Sequence, residues 1–140
     1  MISVLDIGIG NINSVQKALN YIGAKHVVIR DGNGLKNAEK ILFPGVGNFS
    51  AASQKLHSTE IASVIRSEVL ENKTPFLGIC LGMQLLGRSS DENGFHKGLG
   101  LIDAKVIKIP ESPSTRIPHM GWNDVQHDSS GLFENIESSS

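Results

Sequence analysis

Short apolar runs alternate along the chain with stretches whose apolar residues recur at helical spacing. Residues 2–7 form the first run and read as a strand, and Gly8-Ile9-Gly10-Asn11 then turns the chain. Ile12, Val15, Ala18, Leu19 and Ile22 follow on one helical face, with Asn11 placed as the N-cap and Gly23 as the residue that stops the helix. Residues 27–30 read as a second strand, ended by Asp31-Gly32-Asn33-Gly34, and residues 40–43 as a third. Helical patterns cover 49–56 and 61–70; in the latter Ile61, Val64, Ile65 and Val69 make the apolar stripe, while Arg66 and Glu71 can face water. A fourth strand ends at Cys80 and a helix begins beyond it. This alternation predicts an α/β fold: a doubly wound, mostly parallel sheet with helices on both faces. Farther on, 89–96 reads as a loop, 101–109 as a strand and 121–125 as one more short strand. Three prolines within 110–118 exclude regular helix there, and the polar tail 135–140 is expected to fray.

The stretch with the most chemistry in it is Pro75-Phe76-Leu77-Gly78-Ile79-Cys80-Leu81-Gly82-Met83-Gln84. G-x-C-x-G between a strand and a helix is the cysteine form of a nucleophile elbow, a sharp turn that lifts the side chain out of the sheet. Gly78 and Gly82 fit a turn too crowded for a β-carbon. The helix start beyond Cys80 offers free N–H groups and partial positive charge, which favour a thiolate and later an oxyanion. A lone cysteine is more often buried and structural, and the paired glycines reverse that preference here.

Pro44-Gly45-Val46-Gly47-Asn48 follows the third strand. On its own it is a plain turn, and it lacks the Gly-Lys-Ser/Thr of a phosphate loop. Its position gives it meaning, because ligands of open α/β sheets bind beyond the carboxyl ends of the strands, where Cys80 also lies. Its backbone N–H groups can turn toward an oxyanion next to the sulfur. Gly8-x-Gly10 imitates a dinucleotide fingerprint, but Asn13 stands where the third glycine belongs, so that reading is set aside.

The 140 residues are expected to form a single domain with a real core. A net charge of −1 gives no basic excess for nucleic acid, and no apolar run reaches membrane-spanning length. One cysteine cannot form an internal disulfide, which fits a reducing compartment, and Asp6 interrupts the first apolar run, unlike a signal peptide. The expected location is cytoplasmic.

Gly78-Ile79-Cys80-Leu81-Gly82-Met83-Gln84-Leu85-Leu86, with Pro44-Gly45-Val46-Gly47 upstream, resembles the class I (triad) glutamine amidotransferases. Gly10-Asn11-Ile12-Asn13-Ser14, Lys97-Gly98-Leu99-Gly100-Leu101 and Pro118-His119-Met120-Gly121-Trp122-Asn123 narrow the resemblance to the glutaminase subunits of imidazole glycerol phosphate synthase. It runs from Leu5 to about Glu137. It implies hydrolysis of glutamine to glutamate and ammonia, through attack by Cys80 and a thioester. It implies that the N–H of Leu81 and one from the Val46 loop hold the oxyanion, and that Gly47, Gln84 and Glu92 contact glutamine. It also implies a (βα)8-barrel cyclase as partner, reached through Asn11, Asn13, Met120, Trp122 and Asn123, with ammonia passed on for histidine biosynthesis. No metal or cofactor is expected. Each of these residues has a plainer reading: Asn11 as a helix cap, Trp122 as core, Gln84 as a solvated helix residue.

The chain departs from the pattern in one respect. The family holds its catalytic His and Glu in a His-Pro-Glu stretch, and none of His26, His57, His96, His119 or His127 is followed by Pro-Glu. The 140 residues match the family's N-terminal and middle parts, with the triad incomplete. Two rival readings follow: a related amidotransferase subunit serving another synthase, and a catalytically silent docking module. A more distant one is an elbow-cysteine hydrolase with a local base such as His119.

Overall fold

The computed structural model describes residues 1–112, 117–128 and 131–137. The chain divides into two compact units, Met1–Lys108 and Ile109–Ser140. The first unit runs β1 (Ile2–Leu5), α1 (Ile12–Tyr21), β2 (His26–Ile29), α2 (Gly32–Leu35), β3 (Lys40–Gly45), α3 (Phe49–His57), α4 (Ile61–Leu70), β4 (Phe76–Cys80), α5 (Leu81–Gln84), β5 (Ser89–Ser90), β6 (His96–Lys97) and β7 (Lys105–Val106).

β1 to β4 form one parallel sheet in the order β2-β1-β3-β4. Side chains alternate across it, so each strand feeds two cores. Val4 and Leu42 bury with Leu19 of α1 on one face. Leu5, Ile41 and Phe43 bury on the other with Leu35, Phe49, Ala52, Leu56, Ile61, Ile65, Leu81 and Leu85. The connection β1-α1-β2 therefore covers one face, and the two helices between β3 and β4 cover the other. This is the doubly wound arrangement expected from the alternating pattern. Phe43, Phe49, Leu56 and Ile65 are fully buried, and each such side chain contributes about 1.5–3 kcal/mol by leaving water.

Three helix starts are capped by the residue types the sequence offers there. Asn11 Oδ1 accepts the Ser14 N–H at 3.3 Å, Asp31 Oδ1 that of Gly34 at 2.8 Å, and Asn48 Oδ1 that of Ala51 at 2.9 Å. Each such cap adds about 1 kcal/mol. Gly23, at φ +69°, ends α1 as expected. On the expected apolar face of α1, Leu19 is buried and Ile12 and Val15 are half-buried, but Ala18 and Ile22 stand exposed. β2 and β4 are the edge strands of this sheet, and Leu77 and Ile79 of β4 are exposed.

Several local expectations are corrected. Asp31-Gly32-Asn33-Gly34 is not a bare turn: it opens α2, because the Asp31 cap and the burial of Leu35 outweigh two glycines of poor helix propensity. Residues 89–96 are not a loop throughout: β5 and β6 pair antiparallel around Asp91-Glu92-Asn93-Gly94, with Asn93 at φ 56° and Gly94 at φ 105°. The strand expected over 101–109 shrinks to β7, because the N–H groups of Leu101 and Ile102 both bond the Leu86 carbonyl and fold the chain there. β7 then pairs parallel with β5. Residues 121–125 form no strand.

Polar side chains fasten this region to the helices. Ser53 Oγ donates to the Lys97 carbonyl at 2.7 Å, and Arg66 Nη1 donates to the carbonyls of Leu99 and Gly100. Arg66 is exposed, yet it is a clamp rather than a solvated residue. Glu68, only 5% exposed, accepts the Asn37 N–H at 3.0 Å and the Thr74 hydroxyl at 3.1 Å. Burial would raise its pKa, but the hydrogen bonds from Asn37, Asn72 and Thr74 together outweigh that and hold it below the ordinary glutamate value.

In the second unit, Gly131–Phe133 makes one 3-10 turn, and the His127 ring stacks on Phe133 at 4.6 Å. Part of the proline-rich stretch, 113–116, and the last tail residues, 138–140, lie outside the described residues. Among the described residues no helix is long and apolar enough to cross a membrane.

Candidate active site

Cys80 stands at the carboxyl end of β4 with φ 55° and ψ −114°. A residue with a β-carbon adopts such a backbone at a cost of about 1–3 kcal/mol, so the surroundings must impose it. Here they do so from both sides. β4 stays in register with β3 up to the Gly45–Cys80 pair, and the next residue, Leu81, sinks into the core at 1% exposure. The chain must therefore turn at Cys80, and its thiol is left free and exposed.

The flanking glycines are required by packing. A β-carbon on Gly82 would lie 1.8 Å from the Phe43 carbonyl oxygen, and one on Gly78 would lie 2.6 Å from the backbone of Gly82 and Met83. Gly45 is equally tight, its β-carbon falling 2.9 Å from the Gly82 nitrogen. The elbow is thus pressed directly against β3.

The helix beyond Cys80 is shorter than expected: α5 is a single turn, Leu81–Gln84. A full macrodipole needs a longer helix, so what α5 offers the sulfur is local, namely the first N–H groups, which have no intrahelical acceptor. The Leu81 N–H is one of these.

Val46 differs from expectation. Its N–H, expected to face an oxyanion beside Cys80, instead donates to the Ile9 carbonyl at 2.5 Å. The β1–α1 turn reaches this loop because Gly10 has no side chain; a β-carbon there would lie 2.9 Å from the Pro44 carbonyl oxygen. Gly47 follows at φ 105° with open space where a β-carbon would sit, so the turn demands glycine for its backbone angle alone.

Gln84 and Glu92 line one cleft of about 670 Å³, together with Ser90, Asp91, Asn93 and the β7 end. Glu92 Oε2 accepts the Phe49 N–H at 2.9 Å, which holds it at the start of α3, just beyond Gly47-Asn48. Its own N–H donates to the buried Ser90 Oγ at 3.1 Å, and Lys105 pairs with Asp91 at 2.6 Å. Cys80, Val46 and Gly47 are not part of that lining. Ser90 escaped the sequence reading. The Asp91-Glu92-Asn93-Gly94 turn signature was the available signal that a hairpin, and hence a cleft wall, stands here.

Asn11 and Asn13 are exposed at the start of α1 in the first unit. Met120, Trp122 and Asn123 are exposed in the second, and Trp122 at 103% is no core residue. Among the described residues no histidine hydrogen-bonds Cys80. His26 faces the Ala24 carbonyl, His96 that of Asn93 and His127 that of Glu137.

The glutamine amidotransferase class-I family model matches residues 3–140. The imidazole glycerol phosphate synthase subunit HisH of Geobacillus kaustophilus (strain HTA426) is 46% identical over 142 residues, covering 98% of this chain and 67% of that protein. Subunit HisH 1 of Campylobacter jejuni (strain RM1221) is 42% identical over 126 residues, covering 90% of this chain and 63% of its own length. A solved structure described as a glutamine amidotransferase superposes with a TM-score of 0.66 at 22% identity, over 76% of this chain and 55% of that one, and bears on the fold alone. The chain thus spans about two thirds of the length of these curated relatives. On these matches, the chain belongs to the glutamine amidotransferase class-I family, and within it is similar to the HisH subunits of imidazole glycerol phosphate synthase.

Proposed function

We propose that this chain is the nucleophile-bearing part of a glutaminase subunit that hydrolyses glutamine to glutamate and ammonia. The observation that carries the reading is the Cys80 backbone, forced to positive φ between a β-strand and a buried Leu81, with the thiol exposed. In this scheme the Cys80 sulfur attacks the side-chain amide carbon of glutamine. The C–N bond then breaks, ammonia leaves with a proton from a general acid, and water hydrolyses the thioester. The Leu81 N–H is one oxyanion donor. Val46 would be the second only after its peptide turns away from Ile9, to which its N–H now donates. Gln84 and Glu92, facing one cleft, would hold the glutamine head group, and Gly47, outside that lining, would be a further contact.

Ammonia would pass to a cyclase subunit with a (βα)8-barrel fold, docked on Asn11, Asn13, Met120, Trp122 and Asn123, and the pair would form imidazole glycerol phosphate in histidine biosynthesis. The relatives' names, which are those of a synthase subunit, support a partner subunit, and each of the five residues is exposed within its own unit. A cytoplasmic location accords with a single unpaired cysteine. A second reading, a docking module without turnover, is favoured by one observation: among the described residues no histidine bonds the sulfur. Glutamate release by the 140-residue protein, with and without cyclase, separates the two. A glutamine-derived electrophile should label Cys80 in either case, and failure to label it would reject the glutaminase reading.

A further inference from the structure

A second cleft, of about 390 Å³, opens at the carboxyl ends of β1 and β2 and is lined by Asp6, Gly8, Arg30, Lys55, Ser58 and Thr59. We propose that it binds the phosphate group of a small phosphomonoester, held between the Arg30 guanidinium and the Lys55 ammonium. Parallel sheets bind ligands beyond the carboxyl ends of their strands, and this cleft has that position without Cys80, Gln84 or Glu92 in its lining.

Its charges are unequally matched. Asp6 has both oxygens occupied: Oδ1 accepts the Gly8 N–H at 2.9 Å, and Oδ2 pairs with Arg30 Nε at 3.2 Å. Arg30 meets Asp6 through Nε and its side chain is exposed, so the guanidinium still offers solvent the planar fork that suits phosphate. Lys55 Nζ has no carboxylate. It rests on two carbonyl oxygens, of Ile7 at 3.3 Å and Gly8 at 3.2 Å, both at the long end of hydrogen bonding. Two cations against one carboxylate leave the lining at +1. A phosphomonoester brings about −1.5 to −2 at neutral pH and three acceptor oxygens. The Thr59 hydroxyl bonds the Lys55 and Leu56 carbonyls only at 3.4 Å, so it can turn to a better acceptor at little cost. Gly8 holds φ +74°, and a β-carbon there would come within 3.3 Å of Nζ, so the absent side chain leaves the ammonium accessible.

The test uses the ¹⁵N-labelled 140-residue protein, with inorganic phosphate and glycerol 3-phosphate as probes at fixed ionic strength. Saturable amide shifts are expected at Gly8, Ser58 and Thr59, with a dissociation constant on the order of 1 mM and the phosphomonoester bound at least as tightly as phosphate. Lys55→Met and Arg30→Gln should each weaken binding about tenfold or more, the loss of one charge-assisted hydrogen bond. Arg30 is 70% exposed, so Arg30→Gln decides if Lys55→Met disturbs the β1–α1 turn. Equal shifts with chloride, shifts that survive Arg30→Gln, no saturation by about 50 mM, or acetate bound as tightly as phosphate would each overturn the proposal.

Discussion

Replacing Gly82 by alanine adds one methyl group at the most crowded point of the elbow. Its β-carbon would sit 1.8 Å from the Phe43 carbonyl oxygen, where carbon and oxygen need more than 3 Å. Neither partner can yield cheaply. Phe43 is fully buried in β3 between two paired strands, and the turn at Cys80 is pinned by Leu81 in the core. The elbow must therefore lift by more than an ångström from β3, which loosens the Gly45–Cys80 pairing and the Leu81 contacts. Overpacking of a well-filled site costs about 1–3 kcal/mol, and a backbone clash belongs at or above the top of that range. For a chain of this size, about 3 kcal/mol corresponds to a fall in Tm of roughly 10 °C. The control is Gly23→Ala. That glycine has φ +69° but nothing within 4 Å of the added carbon, so it pays only the backbone strain, about 1 kcal/mol. Urea denaturation of both variants measures the difference. If Gly82→Ala costs no more than Gly23→Ala, close packing is not what makes glycine necessary beside Cys80.

Three further outcomes are expected. Iodoacetamide should modify Cys80 in the folded protein, because the thiol is exposed, and Cys80→Ser should abolish labelling; protection until urea unfolds the chain would place the sulfur inside. Trp122→Ala should leave thermal stability within about 0.5 kcal/mol of wild type while weakening cyclase binding by about 2 kcal/mol or more, and titration calorimetry against calorimetric melting would expose the reverse pattern. Glu68→Gln should destabilise by about 1–3 kcal/mol at neutral pH, through loss of charged hydrogen bonds to the Asn37 N–H and the Thr74 hydroxyl. Because the folded pKa of Glu68 is lowered, its contribution is complete above the unfolded value of about 4.3 and disappears as pH falls through the folded one. The gap between variant and wild type should therefore close in acid, and a gap that widened there would reverse the sign.

The parallel sheet and both helical layers were legible because burial on two faces writes itself as apolar strands between amphipathic helices, as in Ile41-Leu42-Phe43 and residues 61–70. The elbow was legible because Gly78 and Gly82 answer a local steric demand that any sequence must meet. The short elements were not. α2 contains two glycines and exists through Leu35, a tertiary contact that no local pattern records. β5, β6 and β7 have two residues each, too few for a period to show. Nor could residue types reveal that the Val46 N–H is already taken, since a backbone amide carries no trace of its acceptor in the sequence.

The sheet is also lopsided. Among the described residues, thirteen buried apolar side chains gather on the α3–α4 face and three on the α1 face. Helix α1 contributes one buried side chain, Leu19, to that thinner layer, with Ile12 and Val15 half-buried against it. Regions with few buried contacts open at a fraction of the global unfolding free energy. In hydrogen exchange the α1 amides should thus lose protection through partial openings, while those of β3 wait for the whole sheet to come apart. The first layer to breathe is the one that carries Asn11 and Asn13, and a subunit seated on them would slow exchange along α1 while leaving β3 at its own pace.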